Sequence, residues 1–369
     1  MQFTCDRESL VQAVAIVERA VATRDAMYLL TGILIDAQGD QLKLVATDLE
    51  LGIECGLQAD IKRPGAVVVD GRLFGQLIRK LPGEQVQVEL GEGEGLAVVR
   101  SGSAEFSLHT RPANDFPPLP NNPAQDRWVV SQALLRNMIR KTAFAAAADE
   151  NRPYLTGVLF EVGEQELRLV ATDSNRLAFA KGSLAEPAAA ARQAIVPART
   201  AQEVARVLQD DEEAQVVVSV ADNYISFETG TARVVSRLLE GTYPNYRQVL
   251  PQDQPVRTRV ARDVFQAAVE RAALLSRKGP AVVIVNVREQ LMTLSAREAD
   301  VGRSHEEIPV EHEGQDGQNA YQARFLLDVL RVLDSDEVQF DFSEGDKPAT
   351  VRPAGGEDYL CLIMPIRLG

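Results

Sequence analysis

The sequence contains three copies of one pattern, and this repetition limits the possible folds more than any other feature. Each copy has two neighbouring strand-like segments: 32–35 with 42–48, 157–160 with 167–173, and 282–285 with 291–296. Leu44, Leu169 and Leu294 occupy the same place in the three copies and are each 125 residues apart. A solenoid repeat has about 20–50 residues, whereas this period is the size of a domain. The chain is therefore predicted to contain three copies of one domain.

A helical pattern repeats at a similar interval. Apolar residues three and four apart predict amphipathic helices over 70–81, 197–208 and 322–333. Each helix carries two arginines seven residues apart, on a face roughly opposite its apolar stripe. These pairs are Arg72 with Arg79, Arg199 with Arg206, and Arg324 with Arg331. One such helix is typical of a solvated surface, but three in register indicate a shared role.

The remaining pattern predicts an α+β fold with antiparallel sheets. Further helices are predicted over 6–20, 131–147 and 261–275, so each third has two helices and roughly eight short strands. Proline clusters at 117–123 and 251–255 interrupt the strand pattern and mark two joints. We therefore expect three domains, at 1–125, 126–253 and 254–369.

Composition points to a cytoplasmic protein with reduced thiols. There is no apolar run of the ~18–20 residues needed to cross a membrane, and the start of the chain lacks a signal-peptide pattern. Cys5, Cys55 and Cys361 are odd in number and far apart, without a CxxC pair. Neither a disulfide framework nor a zinc site is expected from them.

The net charge of −14 is distributed unevenly. The six predicted helices together carry +6, which leaves −20 on the rest of the chain. Basic helices on an acidic body suggest a surface that attracts a polyanion while the remainder repels it. Ordinary variation among exposed helices is the alternative that charge alone leaves open.

The residues give little support to catalysis. His109, His305 and His312 are the only histidines, and none has a nucleophile partner or metal-ligand spacing. No phosphate-cradling glycine loop or hydrolase motif is present. Asp48 and Asp173 follow threonine at the same place in two copies, so we interpret them as parts of structural turns at strand ends. We expect no enzyme activity, no cofactor and no metal.

Several motifs resemble the bacterial sliding clamp, the beta subunit of the replicative DNA polymerase. They occur in the family's order along the whole chain, at 3–10, 46–50, 101–108, 114–117, 154–161, 171–178, 243–247 and 364–368. The resemblance implies a head-to-tail homodimeric ring of six similar domains, with helices around the hole and sheets outside. The function that the resemblance implies is to encircle duplex DNA without sequence preference and to tether DNA polymerase.

The resemblance also assigns residues to two surfaces. The DNA-facing set would be Arg24, Arg72, Arg79, Lys80, Arg136, Arg140, Lys141, Arg199, Arg206, Arg324 and Arg331. Charge at such positions suits phosphate contact, which carries no sequence information. The dimer interface would join Phe106 and Leu108 of one copy to Leu274 and Leu275 of the other.

Partner proteins of this family, including polymerase and clamp loader, insert a short peptide between the second and third domains. The matching residues here are Leu155, Thr172, Ser174, Asn175, Arg176, Leu177, Pro244, Gln248, Val249, Phe325, Leu362, Met364, Pro365, Ile366 and Arg367. Leu155, Leu177, Val249 and Leu362 would equally suit a plain hydrophobic core, and that reading stays open.

Some positions depart from common relatives. Ser174 and Asn175 replace Gly-His, Gln248 replaces Arg, and Asp149 replaces a neutral amide. The segment 27–30 lacks the usual proline, and Gly369 follows the usual terminal leucine. A specialised paralogue with few partners, carried by a phage, a plasmid or a second locus, is therefore an alternative to the housekeeping clamp. A DNA-acting enzyme is a further alternative.

Overall fold

Each third of the chain has the same order of elements: strand, helix, four or five strands, helix, three strands. The computed structural model describes residues 1–23, 28–91, 95–120, 126–149, 151–221, 223–250, 253–276 and 279–367. The α+β fold class and the repetition predicted from the sequence are confirmed.

Six helices occur at the predicted places within the described ranges. They are α1 (Arg7–Val17), α2 (Gly71–Lys80), α3 (Gln132–Thr142), α4 (Ala198–Val207), α5 (Arg262–Ala273) and α6 (Ala323–Val332). The prediction of a helix over 131–147 was wrong at its end, because α3 stops at Thr142 and Ala143–Ala145 form a 3-10 turn. Alanine favours a helix, but alanine propensity did not continue α3 here.

The strands of the first third are β1 (Gln2–Asp6), β2 (Gly32–Gln38), β3 (Gln41–Thr47), β4 (Leu51–Gln58), β5 (Asp60–Arg63), β6 (Gly65–Asp70), β7 (Gln85–Leu90), β8 (Leu96–Ser101) and β9 (Ala104–Pro112). Those of the second are β10 (Asp126–Ser131), β11 (Gly157–Val162), β12 (Glu166–Thr172), β13 (Arg176–Ser183), β14 (Arg192–Pro197), β15 (Gln215–Ala221), β16 (Tyr224–Glu228) and β17 (Ala232–Arg237). Those of the last are β18 (Val256–Ala261), β19 (Val282–Arg288), β20 (Leu291–Glu298), β21 (Gly302–Pro309), β22 (Glu311–Gly314), β23 (Gly317–Gln322), β24 (Glu337–Phe342), β25 (Ala349–Pro353) and β26 (Tyr359–Ile363).

The chain divides into two compact units. The first contains 1–133, 185–189 and 206–238, and the second contains 134–184, 190–205 and 239–369. A sheet of thirteen strands forms the first unit, in the order β10-β15-β16-β17-β4-β3-β2-β6-β9-β8-β7-β1-β5. The second unit has a nine-stranded sheet, β14-β11-β12-β13-β26-β25-β24-β18-β22, and a four-stranded sheet, β21-β20-β19-β23.

Helices cover their sheets with an apolar stripe of constant spacing. The buried side chains of α1 are Leu10, Ala13, Val14 and Val17, and those of α5 are Phe265, Ala268, Val269 and Ala272. Both sets follow the i, i+3, i+4, i+7 spacing of one helix face. The repeat seen in the sequence is therefore a repeat of packing. None of the described helices has the length and apolar character that crossing a membrane requires.

The repeated Thr-Asp pair forms a turn. In the first copy Thr47 Oγ1 donates to the Leu51 carbonyl at 3.0 Å, and Asp48 Oδ1 accepts the Leu51 N–H at 2.8 Å. In the second copy Thr172 Oγ1 donates to the Arg176 carbonyl at 2.6 Å, and Asp173 Oδ1 accepts the Arg176 N–H at 3.0 Å. The structural interpretation of both aspartates is confirmed.

Candidate functional site

A buried arginine holds the start of β13 in place. The Arg176 guanidinium contacts Asp173 Oδ2 at 3.0 Å and Asp328 Oδ2 on α6 at 2.5 Å, and it donates to the Phe144 carbonyl at 2.7 Å. Its Cζ lies 4.7 Å from the ring centroid of Phe325. Charge pairing and hydrogen bonds offset the cost of burying this cation. Arg176 thus ties the turn after β12 to α6.

The residue before Arg176 in this turn, Asn175, connects to the end of the chain. Its carbonyl accepts the Met364 N–H at 2.8 Å, directly after β26 pairs with β13. Ser174 adopts a positive φ of 76°, as Leu49 does in the equivalent turn of the first copy. Such a backbone is uncommon without glycine. The two Thr-Asp hydrogen bonds described above hold it.

An apolar cluster lies beside this turn. Leu177 on β13 pairs with Leu362 on β26, and both pack with Leu159, Val170, Phe179, Ile195 and Tyr246. The connector, residues 239–250 after β17, covers the cluster with Leu239, Tyr243 and Leu250. Cross-strand pairs of this kind stabilise a sheet face. Leu177 and Leu362 therefore form part of a core, as one of the two readings from sequence allowed.

The connector is fixed by a polar anchor at its middle. Glu161 on β11 accepts from Tyr246 Oη and from Arg247 Nη2, both at 2.7 Å. Burial alone would raise the pKa of Glu161, but hydrogen bonds from Arg247 and Tyr246 hold it below its usual value. Burial and the Glu161 carboxylate raise the pKa of Tyr246 to about 12.

Two apolar side chains near the cluster stay exposed. Val249, at the end of the connector, is 52% exposed, and Met364, after β26, is 38% exposed. Soluble chains expose single apolar residues often, but these two flank the turn and the covered cluster. They are the surface at which an apolar partner side chain could be buried.

The other predicted pocket residues differ in accessibility. Leu155 and Phe325 are buried, while Pro244 and Gln248 are exposed on the connector. Ile366 N donates to the Ala320 carbonyl at 2.8 Å, and Arg367 pairs with Asp346 at 2.5 Å. Thr172, Ser174, Asn175 and Pro365 complete the set. All fifteen residues belong to the second compact unit.

Sequence reasoning missed several contributors to this region: Phe144, Asp328, Tyr246 and Glu161. Their contacts with it span 32 to 152 positions of the chain. Tyr246 lies inside the motif 243–247, but nothing in the sequence indicated its hydrogen bond to Glu161. Asp328 gave no local signal beyond its spacing of four from Arg324.

Several basic residues of α2 and α6 carry acidic partners. Arg79 of α2 forms an ion pair with Glu18, and Arg331 of α6 pairs with Glu270 of α5 at 3.0 Å. Arg324 lies 3.7 Å from Asp328. Arg72 and Lys80 are exposed on α2. Because exposed ion pairs are weak, a competing polyanion could exchange with these carboxylates.

Helices α3 and α4 carry the remaining basic positions. Asp334 pairs with Arg140 and lies 3.7 Å from Lys141 Nζ. Burial lowers the pKa of Lys141 despite this aspartate. Arg136 is half-buried, whereas Arg199 and Arg206 are exposed on α4. Arg24 lies outside the described residues.

The two predicted interface segments present different side chains. Phe106 on β9 is 44% exposed, and Leu274 after α5 is 78% exposed. Leu108 is 9% exposed and Leu275 is half-buried. The half of β9 that carries Phe106 pairs with β8, while among the described residues the pairing of β9 with β6 involves 110–112. A strand with one open side can accept another strand.

Comparison with known proteins gives one consistent result. Sequence profiles match the DNA polymerase III beta subunit in its N-terminal domain at 1–120, its central domain at 129–245 and its C-terminal domain at 247–367. The beta sliding clamp of Bacillus subtilis (strain 168) is 32% identical over 378 residues and 100% of both chains. That of Staphylococcus aureus (strain Mu50) is 32% identical over 377 residues, with 100% of this chain and 99% of the relative covered.

Solved structures agree with this. The DNA polymerase sliding clamp from Bacillus subtilis superposes with a TM-score of 0.94 at 31% identity. The DNA polymerase III subunit beta from Pseudomonas aeruginosa superposes with a TM-score of 0.93, also at 31% identity. Both comparisons cover 100% of each chain.

Proposed function

The chain belongs to the bacterial family of DNA polymerase III beta subunits, the beta sliding clamps, and we propose that it encircles duplex DNA and tethers the replicative polymerase. The match to all three family domains, in the family's order along the chain, carries this conclusion. As a processivity factor, the protein would act by holding other enzymes on their template.

Ring closure requires a second copy of the chain. Two copies joined head to tail would provide six domains, bounded near 125 and 253 in each chain. Phe106 on β9 and Leu274 after α5 are both exposed. Each supplies an apolar side chain to the head-to-tail contact between the two copies. Burying a large apolar side chain contributes about 1.5–3 kcal/mol. We accordingly assign the homodimer to this pair of surfaces.

DNA contact would be electrostatic and independent of sequence. The exposed arginines of α2, α4 and α6 support it, because they repeat in register on three helices. Acidic groups elsewhere would discourage binding outside the ring. Such contact should weaken steeply as salt rises, since phosphate binding releases condensed counterions.

Partner recognition is assigned to the region around Arg176, Leu177, Val249 and Met364. A partner peptide with leucine and aromatic side chains would bury the exposed apolar surface there, next to a turn and connector that are already fixed. A preorganised site loses little entropy on binding. The departures at Ser174, Asn175 and Gln248 leave its apolar part intact.

The protein is proposed to have no catalytic site of its own and to act in the cytoplasm. Because the sequence contains no nucleotide-binding loop, opening the ring would depend on an external ATP-dependent loader. A DNA-acting enzyme is the competing class, and nuclease and nucleotide-hydrolysis assays with and without magnesium separate the two. We expect neither activity.

The direct functional test is processive synthesis on a primed circular template. With loader, ATP and polymerase from one bacterium, addition of this chain should lengthen the product made in a single binding event. Omitting the loader or ATP should remove the effect. Unchanged product length in the complete reaction would contradict the proposal.

A further inference from the structure

A polar cavity lies on the same sheet face as the apolar cluster. It has a volume of about 310 Å³ and is lined by Asp253, Gln254, Arg257, Gln339, Asp341, Thr350, Arg352 and Leu360. All of these residues belong to the second compact unit. Leu360 also packs against the cluster of Leu177 and Leu362, so the cavity adjoins that cluster directly.

Strand register places the cavity in line with the apolar cluster. Leu177 pairs with Leu362, Leu362 with Thr350, Thr350 with Asp341, and Asp341 with Arg257. Residues paired across antiparallel strands point to the same face. Neighbouring strands are ~4.8 Å apart, so Arg257 lies three spacings, or roughly 14 Å, from Leu362. An extended peptide covers that distance in about four residues.

One polar group of the cavity, the Thr350 hydroxyl, has unused hydrogen-bonding capacity. Thr350 is 7% exposed, and its buried Oγ1 has no hydrogen-bond partner among the described residues. A buried hydroxyl without a partner is costly, and ligand binding is one way to satisfy it. A polar group of a partner that entered the cavity could form a hydrogen bond with this hydroxyl.

Two guanidinium groups stand at its rim. Arg257 donates to Asp253 Oδ1 at 3.0 Å, and Arg352 donates to Gln339 Oε1 at 3.1 Å. Asp253 is largely exposed, so its pair with Arg257 is weak. A guanidinium has five N–H donors, so each arginine can also donate to the oxygens of a carboxylate.

Neighbouring side chains of the cavity engage the carboxyl of Asp341. Burial raises the pKa of Asp341, although Arg352 and hydrogen bonds from Thr258 and Gln339 act in the other direction. Gln339 Nε2 donates to Asp341 Oδ2 at 2.8 Å, and Arg352 Nη2 lies 3.6 Å from the same oxygen. Much of this aspartate's acceptor capacity is thus directed at its neighbours.

We infer that this cavity extends the partner-peptide site. An acidic side chain of the partner would enter the cavity, where Arg257 and Arg352 would bind its carboxylate. The inference rests on the proposed function, because it takes the peptide to bury Val249 and Met364 beside the cluster of Leu177 and Leu362. The acidic residue would be about two to four positions from the peptide's apolar side chains, as the register spacing requires. Arg257 and Arg352 are then specificity-determining residues.

The test is a calorimetric titration with a series of short peptides that share a leucine and an aromatic residue. In each peptide one position of an otherwise neutral flank carries Asp, and its control carries Asn there. We expect the wild-type chain to prefer Asp over Asn by about fivefold at one position, the size of a modest partly exposed ion pair. That preference should disappear in Arg257→Gln and Arg352→Gln.

Arg259→Gln is the matched control. Arg259 lies on the same face of the same strand, pairs with Glu337 and Glu311, and does not line the cavity. It should keep the full preference. Equal binding of Asp and Asn peptides at every position, or a preference that survives both cavity variants, would overturn the inference while leaving the peptide site intact. Loss in Arg259→Gln as well would overturn it in favour of general charge attraction. Failure of all peptides to bind the wild type would overturn the proposed site itself.

Discussion

Arg176 and Asp328 are 152 positions apart in the chain, and their side chains meet at 2.5 Å. Arg176 begins β13 and Asp328 lies in the middle of α6, so one contact joins elements of two sequence repeats. The Arg176 side chain is almost fully buried, and Asp173 is its second carboxylate partner. Partner recognition is assigned beside this contact, so its integrity should matter for both stability and binding.

Replacing Arg176 should destabilise the fold strongly. Arg176→Met leaves Asp173 and Asp328 without their cation, and removal of one partner of a buried pair costs about 3–5 kcal/mol. Chemical denaturation followed by circular dichroism measures the loss. Arg324→Met is the control, because Arg324 is exposed and lies 3.7 Å from the same Asp328; we expect a change of less than about 1 kcal/mol. Equal effects of the two substitutions would contradict the central role of Arg176.

Met364→Ala should weaken peptide binding without unfolding the protein. Met364 is partly exposed, so its truncation removes apolar contact area but opens no internal cavity. We expect about a tenfold loss of affinity for a leucine- and phenylalanine-containing peptide in calorimetry. Val301→Ala changes an exposed apolar residue of the loop before β21 and should leave affinity unchanged. Equal affinity of wild type and Met364→Ala would place the peptide elsewhere.

Peptide affinity should vary little between pH 6 and 8. The connector anchor has Glu161, with a pKa below its usual value, and Tyr246, with a pKa of about 12, so neither titrates in this range. Because the pKa of Glu161 is lowered in the folded chain, its ionised carboxylate stabilises the fold fully above the ordinary pKa of 4.5. This stabilisation is lost as pH falls through the lower pKa of the folded chain. Titrations from pH 4 to 8 check this. A marked change of affinity near pH 6.5 would show that another group controls binding.

The exposed leucine after α5 should control oligomeric state. Leu274→Asp would place a charge where a partner copy is expected to bury an apolar side chain, and we expect monomers at micromolar concentration. Leu73→Asp, at an exposed leucine of α2, is the control and should leave the dimer intact. Analytical ultracentrifugation distinguishes the two. A stable dimer of the Leu274 variant, or a monomeric wild type, would exclude this interface.

DNA affinity should depend on whether an arginine already has a carboxylate partner. Arg79 is paired with Glu18, so Glu18→Gln should release it for phosphate and increase the affinity for duplex DNA. The change should also steepen the salt dependence by about one counterion. Glu8→Gln, an acidic residue exposed in the first turn of α1, removes the same charge away from Arg79 and is the control. Identical salt dependence of both variants would exclude exchange at Arg79.

The sequence was sufficient to predict those features that depend on local spacing. Leu44, Leu169 and Leu294 revealed the repeat, and apolar spacing located the six helices, although α3 ends at Thr142 and not at 147. The Thr-Asp turns were also predictable, because their hydrogen bonds close within four residues of each threonine. Local patterns suffice when the stabilising contacts are local.

Long-range contacts could not be predicted in this way. Arg79 and Glu18 are 61 positions apart, and Arg140 and Asp334 are 194 apart. Nothing in the sequence around these residues indicates such a partner. The number of basic residues with acidic partners was therefore underestimated from the sequence. Leu108 illustrates the same limit, since its burial within the chain depends on sheet packing and not on its own spacing.

Topological retention on DNA distinguishes a closed ring from a protein that binds DNA only through its surface charge. The protein should be loaded with loader and ATP onto nicked circular DNA and separated from free protein by gel filtration at a salt concentration that prevents ordinary binding. We expect the protein to stay on the circle and to be released when a restriction enzyme linearises it. Equal retention on linear and circular DNA, or retention that depends on one DNA sequence, would contradict it.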